Sequence, residues 1–222
     1  MKIGVLGTGM VGQAIGGKLA EHGHDVMMGS RTRDNEKAAA WAKSAGPGAS
    51  LGTFAEAAAF GEVIFNCTSG VVSMDALNMA GESNLDGKVL IDVANPLDSS
   101  GGSPPFLAFC NTDSLAERIQ SAFPGAKVVK ALNTMNCNVM VNPQRLPGDH
   151  NVFISGNNAE AKSQVADILV DLGWKRESII DLGDITTARG TEMLLPIWLR
   201  LARAFGHVDF NFHVVVGKDP KG

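Results

Sequence analysis

The chain has 222 residues, 26 of them glycine and none tyrosine, with 45 % hydrophobic residues and 19 basic against 23 acidic side chains. That apolar content excludes a disordered chain, and the net charge of −4 argues against a nucleic-acid partner, because such modules draw affinity from a basic surplus. Cys67, Cys110 and Cys137 are too few and too scattered for a disulfide framework or a zinc cluster, and no apolar stretch approaches the ~20 residues of a membrane span. The first residues run directly into a strand-like segment with no room for a signal peptide, so the expectation is a cytoplasmic protein without a membrane partner.

Short apolar runs alternate along the chain with longer, alanine-rich stretches. Lys2–Leu6, Asp25–Met28, Val63–Cys67, Val89–Val93 and Val128–Leu132 read as strands. They are nearly continuous in Val, Ile, Leu, Met and Phe, as a parallel sheet covered on both faces demands. Between them Met10–His22, Asp34–Ala45, Phe54–Phe60, Val71–Ala80 and Ser114–Phe123 read as helices. The alternation predicts an α/β fold with a doubly wound, mostly parallel sheet and right-handed crossovers. Gly23 sits where an αL helix cap belongs, and Asn84–Gly87 is a turn ahead of a strand. Residues 98–105, rich in Ser, Gly and Pro, leave a strand end and either line a ligand crevice or form a solvated insertion.

After Asn142-Pro143 the pattern is less regular. Asn151–Ser155 and Ser178–Leu182 read as strands around a helix at Ala159–Leu172, followed by an apolar helical segment over Ile185–Phe205. Pro196 should kink or divide that segment, and Asp209–Val216 reads as a last strand. The expected organisation is one domain over residues 1–222, with a dinucleotide-binding core at 1–142 and a C-terminal extension at 143–222.

The most specific motif is Gly7-Thr8-Gly9-Met10-Val11-Gly12, a GxGxxG that follows a strand and opens a helix at the start of a βαβ unit. In that context Gly7 makes the tight turn, Gly9 admits a pyrophosphate and Gly12 lets helix pack on strand. The helix N-terminus then offers free N–H groups to phosphate. An NAD site usually ends its second strand with a carboxylate for the ribose 2′-OH. This strand ends in Gly29-Ser30-Arg31-Thr32-Arg33 instead. Ser30, Arg31 and Arg33, with Lys37 one turn on, suit a 2′-phosphate, so NADP(H) is favoured over NAD(H). Two further strand ends, carrying Cys67, Thr68 and Ser69, and Ala94 and Asn95, point at the same crevice. Asn133 and Thr134 leave the next strand, either to hold the nicotinamide carboxamide or to cap the following helix.

Catalytic groups are not evident. His22 and His24 flank the first αβ turn and are expected at the surface, His207 and His213 lie near the C-terminus, and His150 sits in a loop that either faces a substrate or does not. No nucleophile–base pair or metal-ligand constellation is readable from spacing. An alcohol or hydroxyacid dehydrogenase needs a proton donor at the carbonyl, whereas hydride transfer to a flavin-like ring needs mainly the juxtaposition of two rings. The alternatives are a dehydrogenase of a small imine or hydroxyacid and a non-catalytic NADPH-binding sensor.

The glycine motif, Gly29-Ser30-Arg31, Asp92-Val93-Ala94-Asn95-Pro96 and Lys130-Ala131-Leu132-Asn133-Thr134, in that order, resemble the NADP oxidoreductase, coenzyme F420-dependent family over essentially the whole chain. The ending Arg189-Gly190-Thr191-Glu192-Met193-Leu194-Leu195-Pro196, with Phe210-Asn211-Phe212, looks like bacterial members. A related module with similar Gly-Ser-Arg and Asn-Pro elements occurs in the cytosolic domains of membrane ferric reductases. The resemblance implies reversible hydride transfer between NADPH and deazaflavin F420 or a flavin, with quinone-like and ferric acceptors open. It implies Thr8, Ser30 and Arg31 as NADP contacts, and a ring–ring meeting place around Asn133-Thr134. It also implies a homodimer, and a C-terminal helical segment that shapes the acceptor pocket. The apolar stripe Met193, Leu194, Leu195, Ile197, Trp198 and Leu201 either walls that pocket or belongs to core or dimer interface.

Overall fold

The computed structural model describes residues 1–217. The chain begins β1 (Lys2–Leu6), α1 (Met10–Glu21), β2 (Asp25–Ser30), α2 (Glu36–Ala45), β3 (Ala49–Thr53), α3 (Phe54–Phe60) and β4 (Val63–Asn66). It continues with α4 (Ser73–Ala80), α5 (Glu82–Leu85), β5 (Val89–Asp92), a hairpin of β6 (Leu97–Asp98) and β7 (Phe106–Leu107), α6 (Leu115–Ala122) and β8 (Lys127–Ala131). Then come α7 (Cys137–Met140), β9 (Val152–Gly156), α8 (Ala159–Asp171), β10 (Ile179–Asp181), α9 (Ala188–Met193) and α10 (Leu195–Phe205).

The main sheet runs β10-β9-β8-β5-β4-β1-β2-β3, parallel at every pairing except β8 with β9. The mostly parallel, doubly wound sheet is the one the strand–helix alternation predicts. Side chains alternate faces along each strand, so Ile3 and Val5 of β1, with Val63 and Phe65 of β4, enter one core layer beside Ile15, Trp41 and Leu169. Leu6 and Ile64 enter the other, against Phe54, Leu77 and Ile119. Asn35, Ser114 and Asn158 cap α2, α6 and α8 by accepting a first-turn N–H, and Thr53 with Glu56 forms a capping box on α3. Each such cap stabilises its helix by about 1 kcal/mol. α1 has no such cap: the residue before it is Gly9, which has no side chain to offer.

Three expectations are corrected or refined. β3, Ala49-Ser50-Leu51-Gly52-Thr53, was not anticipated, because its small and polar residues make no apolar run; it forms by pairing along β2. Pro196 divides the apolar segment, ending α9 before Leu194 and standing in the first turn of α10, where its missing N–H is no loss. The strand expected at Asp209–Val216 does not form. Asn151 N–H donates to the Phe212 carbonyl at 2.9 Å, and Val214 N–H donates to Asn151 Oδ1 at 2.8 Å. β9, which follows Asn151, already has β8 on one side and β10 on the other, so no ladder edge is left for a further strand. Among the described residues no helix is long and apolar enough to cross a membrane.

Candidate functional site

β1 lies between β2 and β4, so successive crossovers leave it in opposite directions and open a crevice at the carboxyl ends of the strands. The three motif glycines serve it differently. Gly7 has φ +120°, and a Cβ there would stand 2.6 Å from the Cys67 carbonyl oxygen, so the loops after β1 and β4 touch. A Cβ on Gly12 would stand 2.1 Å from the Gly7 carbonyl oxygen; this glycine lets α1 fold back onto its own entry turn. A Cβ on Gly9 would meet nothing within 4 Å. The floor of the crevice is therefore open at Gly9, in front of the uncapped N–H groups of a 12-residue helix, which is an arrangement for an anion.

The larger part of the crevice is a cleft of about 600 Å³ lined by Gly7, Thr8, Gly9, Ser30, Arg31 and the loop Cys67-Thr68-Ser69. Ser30 is buried and its hydroxyl donates to the Thr32 carbonyl. Arg31 lines the cleft, whereas Arg33 pairs with Glu56, the carboxylate of the α3 capping box, and lies outside the lining. Lys37 and Met10 lie outside it too, Met10 with 79 % of its surface exposed. Asn35, Phe54 and Asp75 complete the wall and were not anticipated; the helix-cap signal of Asn35 was the one sequence cue.

A smaller cavity of about 230 Å³ shares Cys67, Thr68 and Ser69 with the cleft and is otherwise walled by Val11, Ala94, Asn95, Asn133, Leu195 and Trp198 among others. Asn133 Nδ2 donates to Asn95 Oδ1 at 3.0 Å and Asn95 Nδ2 donates to the Asn133 carbonyl at 2.8 Å, which ties the loops after β5 and β8 together. Just before, Leu132 takes φ +62°, uncommon for a side chain of its size. Neither Asn133 nor Thr134 caps the next helix, a task done by Asn136. Thr134 is buried away from the cavity lining, its hydroxyl without a partner among the described residues. Residues 98–105 turn β6 back into β7 and only Leu97 reaches the cavity. Of the apolar stripe, Leu195 and Trp198 face it, while Met193 and Ile197 are exposed. His150 lies elsewhere, held between the Pro143 carbonyl at 3.0 Å and Asn211 Nδ2 at 2.9 Å.

Among the described residues, Cys67 is the one titratable side chain in the lining of the smaller cavity. Burial, aided by the Asp92 carboxylate, pushes its thiol far above the ordinary range, so it offers neither a thiolate nor a ready proton. Beneath the cavity lies a polar cluster that spacing did not disclose. Lys130 Nζ stands 2.8 Å from Asp92 Oδ2 and 2.8 Å from Glu192 Oε1, with all three side chains buried. Asn66 Nδ2 donates to Asp92 Oδ1 at 2.8 Å, and Thr68 Oγ1 donates to Asn66 Oδ1 at 2.7 Å, so the cluster reaches the loop shared by both cavities.

Residues 2–96 match the family described as NADP oxidoreductase coenzyme F420-dependent. The F420-dependent NADP reductase of Methanothermobacter marburgensis is 31 % identical over 214 residues, covering 90 % of this chain and 92 % of that protein. The rat metalloreductase STEAP3 is 31 % identical over 204 residues, which are 89 % of this chain but 38 % of that protein. A solved structure from Arthrobacter sp. FB24, described as a candidate F420-dependent NADP-reductase, is 52 % identical, covers 97 % of this chain and all of that one, and superposes with a TM-score of 0.92. With the glycine turn, the uncapped α1 terminus and Arg31 at one cleft, these likenesses place the chain among NADP(H)-binding oxidoreductases: it belongs to the coenzyme F420-dependent NADP oxidoreductase family.

Proposed function

We propose that the protein transfers hydride between NADP(H) and a flavin-like two-electron acceptor: deazaflavin F420, a flavin or a quinone. A ferric chelate, which takes one electron at a time, would be reduced only through a flavin so reduced. NADP(H) supplies the hydride, or takes it up, at its nicotinamide ring. In this reading the larger cleft takes the adenosine and phosphates. The α1 N-terminus and Gly9 meet the pyrophosphate, Thr8, Ser30 and Arg31 the 2′-phosphate side, and the smaller cavity takes the nicotinamide. Ser69, Ala94, Asn95 and Asn133 orient the ring and its carboxamide there, and Leu195 and Trp198 exclude water from one side. Arg33 is a reserve contact that must first leave Glu56.

The observation that carries the reading is that, among the described residues, the smaller cavity is lined by no acid or base besides the inert Cys67 thiol. Reduction of a carbonyl needs a positioned proton donor; transfer between two conjugated rings needs alignment, and the acceptor takes its proton from solvent. At about 230 Å³ the cavity is below the usual size for a whole ligand site, roughly 300–1,000 Å³. It therefore suits one ring of a larger ligand, and the acceptor approaches from its open side. The family resemblance supports a homodimer, and α10 leaves Ile197 and Phe205 exposed for a second copy to cover.

Stopped-flow oxidation of NADPH across deazaflavin F420, FMN, FAD, a quinone and ferric chelates tests the proposal. Rapid, saturable oxidation by at least one acceptor is expected. Tight NADPH binding with no oxidation by any of them would refute it in favour of a sensor. Turnover of hydroxyacids or imines without a flavin would refute it in favour of a dehydrogenase.

A further inference from the structure

Asp92, Lys130 and Glu192 come from β5, β8 and α9 and meet without water around them, exposed by 0, 1 and 1 %. Their protonation follows from their partners. Asp92 Oδ1 accepts from Asn66 Nδ2 at 2.8 Å and from Ala94 N–H at 3.2 Å, and Oδ2 accepts from Lys130 at 2.8 Å. Glu192 Oε2 accepts from Leu115 N–H at 2.9 Å, and Oε1 from Ala116 N–H at 3.3 Å and Lys130 at 2.8 Å. Every one of these partners is a donor, so a proton on either carboxyl would have nowhere to point, and the geometry fits the ionised form of both. Lys130 meets only acceptors: the two carboxylates and the Ala94 carbonyl.

Burial pulls the ammonium of Lys130 down, and Asp92 and Glu192 outweigh it, holding the group above its ordinary value. For Glu192 burial pushes the carboxyl up, against the pull of Lys130 and the Leu115 N–H. The all-donor surroundings of Glu192 hold it in the charged form. Two carboxylates and one ammonium leave a net charge of about −1 in the interior. A buried arrangement of this kind is seldom a gain in stability over apolar packing, and so invites a functional reason.

The cluster adjoins the smaller cavity. Ala94 lines that cavity, while its N–H binds Asp92 and its carbonyl binds Lys130. The Asp92 charge also helps to raise the Cys67 thiol in the same lining, second to burial. We infer that this fixed negative cluster favours the oxidised, cationic nicotinamide over the neutral reduced ring, and so poises bound NADPH as a hydride donor. The inference rests on the reading above, in which the nicotinamide occupies this cavity. Breaking the ring C–H bond sends the hydrogen nucleus and both bonding electrons to the acceptor. The ring gains one positive charge, and that charge is what the cluster attracts.

Equilibrium titration with NADP+, NADPH and the fragment 2′-phospho-ADP, on the wild-type chain and on Glu192→Gln, provides the test. Glutamine keeps the size of Glu192, can still accept from Ala116 and Lys130 while losing the bond from Leu115, and removes the charge. A unit charge at about 10 Å and an effective dielectric near about 20 corresponds to roughly tenfold in a binding ratio. The ratio Kd(NADP+)/Kd(NADPH) is therefore expected to rise roughly tenfold in Glu192→Gln, with 2′-phospho-ADP binding unchanged. A merely structural role would weaken both dinucleotides together, and that outcome, or an unchanged ratio, overturns the inference. In the wild-type chain NADP+ is expected to bind more tightly than NADPH; the reverse order overturns the inference even if the variant does not fold. Failure of the wild-type chain to bind any of the three would instead overturn the assignment of the cleft itself.

Discussion

One methyl group, added at Gly9 or at Gly12, should separate the stability of the glycine turn from its use. In Gly12→Ala the new Cβ would lie 2.1 Å from the Gly7 carbonyl oxygen and 3.1 Å from its carbon. No rotamer change relieves a clash of backbone with Cβ, so α1 and the Gly7 peptide must part by about 1 Å. Overpacking of this sort costs about 1–3 kcal/mol, and a clash against backbone belongs at the upper end. The better helix propensity of alanine returns about 1 kcal/mol. The net loss, about 2 kcal/mol, lowers Tm by roughly 4–8 °C in a chain of this length, and NADPH binding falls with the displaced helix terminus. In Gly9→Ala the backbone, at φ −77° and ψ −178°, already suits alanine and the methyl meets no protein atom within 4 Å. The weaker cap and the stiffer unfolded chain nearly cancel, so Tm stays within about 2 °C. The methyl stands where the pyrophosphate must approach, and NADPH binding should weaken by at least about tenfold, or about 1.4 kcal/mol. Thermal melts paired with NADPH titrations decide. A Gly9→Ala protein that binds NADPH normally would refute the assignment of the cleft, and a Gly12→Ala protein as stable as wild type would refute the packing argument.

Arg31→Ala should raise the Kd for NADPH by roughly tenfold, the scale of one charge-assisted contact, and leave NADH nearly unaffected; Arg33→Ala should do less, since Glu56 already engages that guanidinium. Equal losses for both nucleotides would end the 2′-phosphate argument. Trp198→Ala opens one wall of the smaller cavity to water and should slow NADPH oxidation while leaving the Kd for 2′-phospho-ADP unchanged; an unchanged rate would remove Trp198 from that wall's function. Asp171 accepts from His24 at 2.7 Å and from His22 at 3.2 Å, joining the α1–β2 turn to α8. Burial raises its carboxyl, but those contacts prevail and hold it below the ordinary value. A lowered carboxyl stabilises the fold above the unfolded-state value of about 3.9 and loses that contribution as pH falls through the folded value. In urea melts the wild type should therefore exceed Asp171→Asn between pH 5 and 7, as approximate bounds, and converge with it below about pH 4; a gap that widens in acid would contradict the sign. Cys110 is exposed and Cys67 buried with a raised pKa, so iodoacetamide should label Cys110 in the native protein and reach Cys67 only after unfolding.

The side of the candidate site around the glycine turn was legible because its residues are nearly contiguous in the chain. Gly7, Gly9 and Gly12 carry their tasks in their spacing, and Ser30 and Arg31 stand at the end of one apolar strand. The expected pairing of Arg33 with phosphate met a competitor in Glu56, a residue whose sequence signal is that of a helix cap. The smaller cavity is assembled from the ends of β4, β5 and β8 and from α10, so no local pattern announces which of those residues share a wall. The absent last strand fails for a related reason. The alternation of Phe210, Phe212 and Val214 is that of a strand, but a strand also needs a free edge, and β9 has none.

The buried charges were partly readable, though only from two strands taken together. Val89-Leu90-Ile91-Asp92 and Lys127-Val128-Val129-Lys130 are both runs whose apolar residues demand burial on both faces, and each ends by carrying a charge into that interior. A buried ion needs a counter-ion close by. In the parallel register of β5 and β8, Asp92 stands opposite Lys130, so neighbouring strands alone predict the pair. They do not predict Glu192, because a balanced pair has no need of a third charge. Its arrival from α9, just ahead of the break at Pro196, makes the cluster negative instead of neutral. The first-turn N–H groups of α6 at Leu115 and Ala116 offset part of that surplus, and the remainder is what attracts a ring that becomes cationic in the neighbouring cavity.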